Sequence, residues 1–324
     1  MQVESIKRAK TIASWTVFVL AMLVYYFSVE RTGSLWDVGE FILGAYKLEV
    51  VHPPGAPLFM LIGRIFAWLG DITSSDPANI AFFVNMMSAI CTAFGAFFIA
   101  RITIILGKLI YVGRRGTPTA EQNVALTMAG IVGGLAMAFS SSIWFSAVEG
   151  EVYAMSTFFT IITVWTSLKW YSLPDEPQSD KWLVFTCYLA GLSIGVHLLS
   201  LLTFPAIGLM YYFKKYKKHN ILGMLLSFIA GSAVIIFVQK VVIVGIPTLW
   251  KSLEVPLVNS FGMPFHSGLV VALLLISLLV FFLLKWAHKD RRYNMQLLVM
   301  SGMMIAIGFS TCLLYTSPSP RDRG

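Results

Sequence analysis

The chain has 324 residues, 57% of them hydrophobic and 12% charged, against roughly 25% charged in a soluble domain, so water is not its main solvent. Its net charge of +8 falls in short clusters between apolar stretches, the pattern of loops at a membrane surface, which argues against a nucleic-acid partner. Cys91, Cys187 and Cys312 lie in apolar segments without CxxC pairing, so they read as small core residues and indicate neither a disulfide framework nor a zinc site.

In chain order, Lys7, Arg8 and Lys10 precede a first apolar stretch at 12–27. It lacks a small-residue cleavage site, so it reads as a retained span leaving an inside N-terminus. Residues 28–54 then lie outside. Lys108, Arg114 and Arg115 require the chain to be inside again, and residues 79–105 make that return. The shorter run at 58–69, about 12 residues, cannot cross and is expected to form an interfacial or re-entrant helix. Residues 124–145 go out and 152–170 come back, with Glu149 and Glu151 at the outer connection.

Residues 182–213 allow one long span or two short ones. Only two keep Lys214, Lys215, Lys217 and Lys218 inside, and Gly191, Gly195 and Pro205 permit the break. His197 then marks the outer tip. Residues 221–244 exit, 247–266 are outside, 267–286 return to Lys289, Arg291 and Arg292, and 295–314 exit. The expected fold is an all-α polytopic membrane protein of about nine transmembrane helices, with an interfacial helix in the first outer loop.

Residues 1–314 form one expected transmembrane domain. The abrupt change to Tyr-Thr-Ser-Pro-Ser-Pro-Arg-Asp-Arg-Gly at 315–324 predicts a non-native or disordered tail, and with it a domain cut short at its C-terminus.

In this topology Glu30, Asp37, Glu40, Glu49, Asp71, Asp76, Glu149, Glu151 and Glu254 all lie outside. Acidic residues follow no sidedness rule, so their concentration on one face asks for another cause. Asp37 and Glu40, three apart, share one helix face, where one carboxylate can accept a proton while the other orients it or a cation. The structural alternative is that Asp37 caps a helix beginning at Val38.

His52-Pro53-Pro54-Gly55 is a rigid element able to hold a His against those carboxylates, or simply a packing turn. Arg64 is costly at membrane level unless paired. It is a candidate phosphate ligand, or else it pairs with Asp71 or Glu49 or snorkels to the interface. Glu149 and Glu151 resist joint ionisation unless a cation or hydroxyl network meets them; otherwise they form a solvated loop. No Walker loop, dinucleotide fingerprint, nucleophile elbow or His-rich metal motif occurs. No cofactor is indicated, and a divalent cation is compatible with the carboxylates without being called for.

Residues 37–41 (Asp-Val-Gly-Glu-Phe), 48–59 (Leu-Glu-Val-Val-His-Pro-Pro-Gly-Ala-Pro-Leu-Phe), 144–153 (Trp-Phe-Ser-Ala-Val-Glu-Gly-Glu-Val-Tyr) and 191–197 (Gly-Leu-Ser-Ile-Gly-Val-His) resemble the transmembrane protein O-mannosyltransferases. That family is typified by an animal endoplasmic-reticulum enzyme and has Bacteroidetes-like bacterial relatives. The resemblance implies a GT-C-like glycosyltransferase that moves a sugar, with mannose expected, from a polyprenyl-phosphate donor to a protein Ser/Thr or other hydroxyl on the extracytoplasmic face. In related GT-C enzymes an Asp of the first outer loop is the base, and Asp37 occupies that place. The reaction inverts the anomeric carbon, and the leaving phosphate needs no protonation.

With Asp37 as base, Glu40, Glu149 and Glu151 shape the site, and His52, Arg64 and His197 are the candidate phosphate partners. The partners implied are the lipid-linked sugar, a protein or glycan acceptor and the bilayer. The resemblance to bacterial members suggests a cytoplasmic membrane with the site outside. A transporter or flippase using the outer carboxylates is the competing reading, with the break near Gly195 as a discontinuous helix, and a non-catalytic scaffold is a third.

Overall fold

A computed structural model of the chain describes residues 2–34, 36–53 and 55–313. The expected tail, the packing of Cys312 and the second proline of the HisProProGly element lie outside the described residues. All regular elements among the described residues are helical, so the chain is an all-α polytopic membrane protein.

Helix α1 covers Gln2–Ser28. Two helices of the first loop follow, α2 at Val38–Lys47 and α3 at Pro57–Thr73. Helix α4, Pro77–Tyr111, has 35 residues, about 50 Å of helix, and packs on α1, α2, α3, α5 and α7. The expected span at 124–145 is two helices, α5 (Ala120–Ala138) and α6 (Ser141–Val148), bent by 64°.

Then come α7 (Val152–Ser172), α8 (Lys181–Ile194), a 3-10 turn at Leu198–Thr203 and α9 (Phe204–Lys215). The stretch 182–213 is therefore two helices with its break at Gly195–His197, as the lysine cluster required. Helix α10 (Ile221–Phe237) passes through a π segment, Val238–Gly245, into α11 (Ile246–Asn259). Helices α12 (Ser267–Lys289) and α13 (Tyr293–Leu313) are the last described elements.

Among the described residues five helices are long and apolar enough to cross a membrane, Ile6–Ser28, Pro77–Tyr111, Ile221–Asn259, Ser267–Lys289 and Tyr293–Thr311, with the bent α5 and α6 pair as a sixth. Helices α7, α8 and α9, the other expected crossings, do not meet that measure.

Two expected boundaries are corrected. The run at 58–69 continues to Thr73, because Gly70 lets the helix end close on α4: a Cβ there would lie 2.7 Å from Ile80 Cα. The stretch at 247–266, expected to lie outside as one connection, is helical as far as Asn259. Pro247 occupies the first turn of α11, where a missing N–H costs little after the π segment, and only residues 260–266 turn.

Interhelical hydrogen bonds define two ends. At one, Lys10 Nζ donates to Asn123 Oδ1 (2.7 Å), Arg101 to Thr11 Oγ1 (3.1 Å) and Arg114 to Leu173 O (2.7 Å). The same end holds Asp180, 2% exposed, which accepts from Trp170 Nε1 (2.7 Å), Tyr293 OH (2.8 Å) and Lys215 Nζ (3.1 Å). Burial pushes its carboxyl up, but the bonds from Trp170, Tyr293 and Lys215 outweigh burial and hold it below the usual carboxylate range. The buried Lys214 donates to Trp170 O and to Ser179 Oγ (3.2 Å). This is a closed structural network, with each charge met by the protein.

At the other end Glu30 N donates to Val148 O (3.1 Å), and Leu58 N to Gly195 O (2.7 Å). Under it Phe41, Val51, Phe59, Met60, Val84, Met155 and Val196 form a continuous apolar core joining α2, α3, α4, α7 and α8.

Candidate functional site

Helix α2 begins at Val38, with Asp37 at its N-cap position, yet the Asp37 side chain makes no capping hydrogen bond. The capping explanation for this carboxylate therefore fails, and it stays exposed. Glu40, one turn on, accepts from both His52 N (2.7 Å) and His52 Nδ1 (2.9 Å). A carboxylate can only accept, so Nδ1 carries the proton and Nε2 is the nitrogen turned to Asp37, 3.9 Å from its Oδ2.

The route of the chain explains how twelve residues bring His52 back. Leu48 is left-handed (φ 56°, ψ 43°) at the end of α2, which costs a non-glycine residue about 1 kcal/mol. Gly44 makes room for the return: a Cβ there would sit 2.7 Å from Val51 Cγ1. Val51 is buried, His52 packs edge-on to Phe41 at 5.6 Å, and Gly55 (φ 90°) turns the chain into α3.

The hydrogen bond from His52 is the largest influence on Glu40, holding its carboxyl below the usual range; the same bond raises the His52 imidazole, with the charges of Glu40 and Asp37 adding to it. The three donor groups lie within 4.8 Å of one another, a spacing that could receive a cation. Glu40 is already committed to His52, however, which leaves Asp37 and His52 Nε2 as the unengaged pair.

Glu151, at the N-cap position of α7, is half-buried. Its carboxyl is pushed up by burial first, then by the charges of Glu149 and Asp37, so the two sequence-distant carboxylate groups share one field. His197 stands beside this connection, its ring 5.9 Å from that of Tyr153, and its Nδ1 accepts from Leu199 N (3.3 Å).

Arg64 is engaged elsewhere. Its guanidinium donates to Tyr46 O and lies over the Tyr46 ring at 5.4 Å, closing the last turn of α2 rather than pairing with Asp71 or Glu49. A groove of about 550 Å³ lies along the α2 face opposite Asp37, bounded by Gly39, Ile42, Tyr46, Asp71 and Asp76.

Sequence reasoning missed Asn85 of α4. Wholly buried, it donates to Glu30 O (2.8 Å) and Thr32 O (3.2 Å), and its Oδ1 has no partner among the described residues. Gly150 packs against that oxygen, which would lie 2.6 Å from an added Cβ. An Asn in the middle of an apolar stretch was the available signal.

Comparison with known proteins supplies the context for this cluster. Residues 37–220 match the family described as "Protein O-mannosyl-transferase TMEM260 N-terminal domain", a match that begins at Asp37 itself. The chain is 27% identical over 156 residues to the protein O-mannosyl-transferase tmem260 of Dictyostelium discoideum, covering 48% of this chain and 16% of that protein. It is 24% identical over 181 residues to the protein O-mannosyl-transferase TMEM260 of Mus musculus, covering 56% of this chain and 23% of that protein. The chain thus spans less than a quarter of the length of these curated relatives. No solved structure matches it. With more than half of its length matched, the chain belongs to the family of the protein O-mannosyl-transferase TMEM260 N-terminal domain.

Proposed function

We propose that the chain is the membrane domain of a GT-C-like glycosyltransferase that carries mannose from a polyprenyl-phosphate donor to a protein hydroxyl on the extracytoplasmic face. The observation that carries this reading is the arrangement of Asp37, Glu40 and His52 at the end of the bundle opposite the basic loops. Asp37 is exposed with its second oxygen free, as a base must be before an acceptor arrives. Glu40 fixes the imidazole, and the Glu149–Glu151 connection borders the same space.

In the reaction the acceptor Oγ attacks the anomeric carbon as its proton passes to the Asp37 carboxylate. The bond from that carbon to the phosphate oxygen breaks with its electron pair on the phosphate, and the anomeric configuration inverts. His52, fixed by Glu40 through Nδ1, turns its Nε2 edge to Asp37 and orients the base. The N-terminus lies inside, and residues 1–314 act as one unit; Glu151 and His197 line the acceptor side.

Sugar transfer from radiolabelled polyprenyl-phosphate-mannose by a full-length protein containing this chain, against Asp37→Asn at matched expression, tests the reading. Loss of transfer with an unchanged melting temperature supports it. Equal transfer by both proteins removes Asp37 as base, and absence of transfer from any lipid-phosphate sugar removes the glycosyltransferase.

A further inference from the structure

The lipid-linked donor of the proposed reaction carries a phosphate, and two of the three cationic groups that the sequence offered for it are engaged. Arg64 is bound to Tyr46 O and His52 to Glu40. The first loop holds another cation, Arg31. Its guanidinium lies 4.9 Å above the Phe82 ring and makes no hydrogen bond or ion pair among the described residues.

The backbone around it is fixed from both sides. Asn85 Nδ2 grips the carbonyls of Glu30 and Thr32, the residues flanking Arg31, while Glu30 N is bound to Val148 O. Glu30 Oε1 is taken up by Arg31 N and Thr32 Oγ1 (3.3 and 3.0 Å). A wholly buried Asn spent on two loop carbonyls makes the position of the loop, and with it the root of Arg31, a built feature of the fold.

The surroundings say what the side chain faces. Phe82 is half-buried on α4 and meets Tyr26 edge-on at 6.1 Å, and Tyr26 and Phe27 are exposed on α1, an aromatic rim of the kind found at the lipid headgroup level. The loop also folds back on the start of α2, since a Cβ on Gly33 would lie 3.7 Å from Gly39 Cα, two residues beyond Asp37. Arg31 therefore sits on the loop that joins this aromatic rim to the helix start at Asp37. A guanidinium over an aromatic ring keeps its N–H fork free for phosphate oxygens.

We infer that Arg31, seated on Phe82, is the group that receives the phosphate of a lipid-linked donor entering from the bilayer. This inference rests on the proposed donor class. The chemistry recognised is a phosphate ester, whose source here is a membrane-embedded lipid rather than a soluble phosphate. Asn85 acts only as a positioning residue.

The test is binding by this chain in nanodiscs, comparing a polyprenyl monophosphate with the polyprenol of the same length and with inorganic phosphate as competitor. The native chain is expected to prefer the phosphorylated lipid by about 10-fold or more, and Arg31→Gln to bind the two lipids alike. The ratio isolates phosphate recognition from general partition into the disc. A ratio unchanged in Arg31→Gln overturns the assignment and leaves the donor reading standing, whereas a native chain without any preference overturns both. Inorganic phosphate competing at the lipid's own affinity overturns the membrane source. If Arg31→Gln fails to fold, Phe82→Leu keeps the charge and removes its seat; a smaller preference supports the inference and an unaltered one overturns it.

Discussion

Asp180 at one end of the bundle and Asp37 at the other are both aspartates just outside a helix start, and their surroundings differ completely. Asp180 is 2% exposed and accepts from an indole, a phenol and an ammonium group. Asp37 is exposed, caps nothing, and has a single imidazole 3.9 Å away. A carboxylate whose acceptor sites are filled by its own protein can only hold helices together. One held in place by neighbours but left unsatisfied is available to a ligand. Net charge does not separate the two ends in this respect; saturation does.

The widest contrast is expected from Asp37→Asn. Transfer should fall by about 10²- to 10⁴-fold, the range for loss of a positioned base, while the melting temperature in detergent stays within the scatter of surface substitutions. A large loss of stability would break the comparison, because it would make Asp37 a second Asp180. The converse variant, Asp180→Ala, should cost roughly 1–3 kcal/mol, because Lys215 keeps its ion pair with Asp175 (2.6 Å) while the Trp170 N–H and Tyr293 OH lose their acceptor. Thermal unfolding followed by tryptophan fluorescence would read it, and a change within 0.5 kcal/mol, about the surface average, would show the network to be dispensable.

Gly150→Ala falls between. Its Cβ would meet Asn85 Oδ1 at 2.6 Å, so either the Asn releases Glu30 and Thr32 or the loop moves, at about 1–3 kcal/mol for an overpacked site. Hydrogen exchange at residues 30–34 should rise in this variant and not in a control substitution on the lipid face of α12.

The smallest expected change is Glu151→Gln. Burial, Glu149 and Asp37 raise this carboxyl in the folded state, so stability is lost as pH climbs from the ordinary carboxylate range through the raised value. Removing the charge should lift the melting temperature at neutral pH by roughly 1–3 °C while transfer declines. A lower melting temperature would mean that Glu151 is tied down like Asp180.

Much of this was legible in the residues. Apolar stretches gave the helical membrane class, and the lysines at 214–218 required the break at Gly195–His197 that divides α8 from α9. The short strings at 37–41, 48–59 and 144–153 carried the family resemblance, and residues 37–220 are those matched by the family. The span at 124–145 concealed a 64° bend, because hydropathy averages over a kink. The stretch at 247–266, read only as lying outside, is helical through Asn259, and Pro247 is accommodated in the first turn of α11 beside the π segment.

The partner of Arg64 was not readable either, since a backbone carbonyl one helix away carries no sequence signal. Asn85 and Arg31 went unremarked because each is an isolated residue whose meaning depends on what lies against it.

By itself the sequence determined that the chain is helical and membrane-embedded, and which family it resembles. These follow from local composition, charge placement and contiguous motifs. Tertiary structure alone decided that Glu40 accepts from the His52 backbone N and Nδ1, that the Asp37 side chain caps no helix, that Arg64 is engaged with Tyr46, and that Asp180 is saturated. The arrangement around Glu40 and His52 depends on the left-handed turn at Leu48, the clearance at Gly44 and the packing of α2, α3, α4 and α7, and that around Asp180 on Trp170, Lys215 and Tyr293 meeting from three helices. Periodicity and spacing report which face a residue occupies, and only packing reports what that face meets.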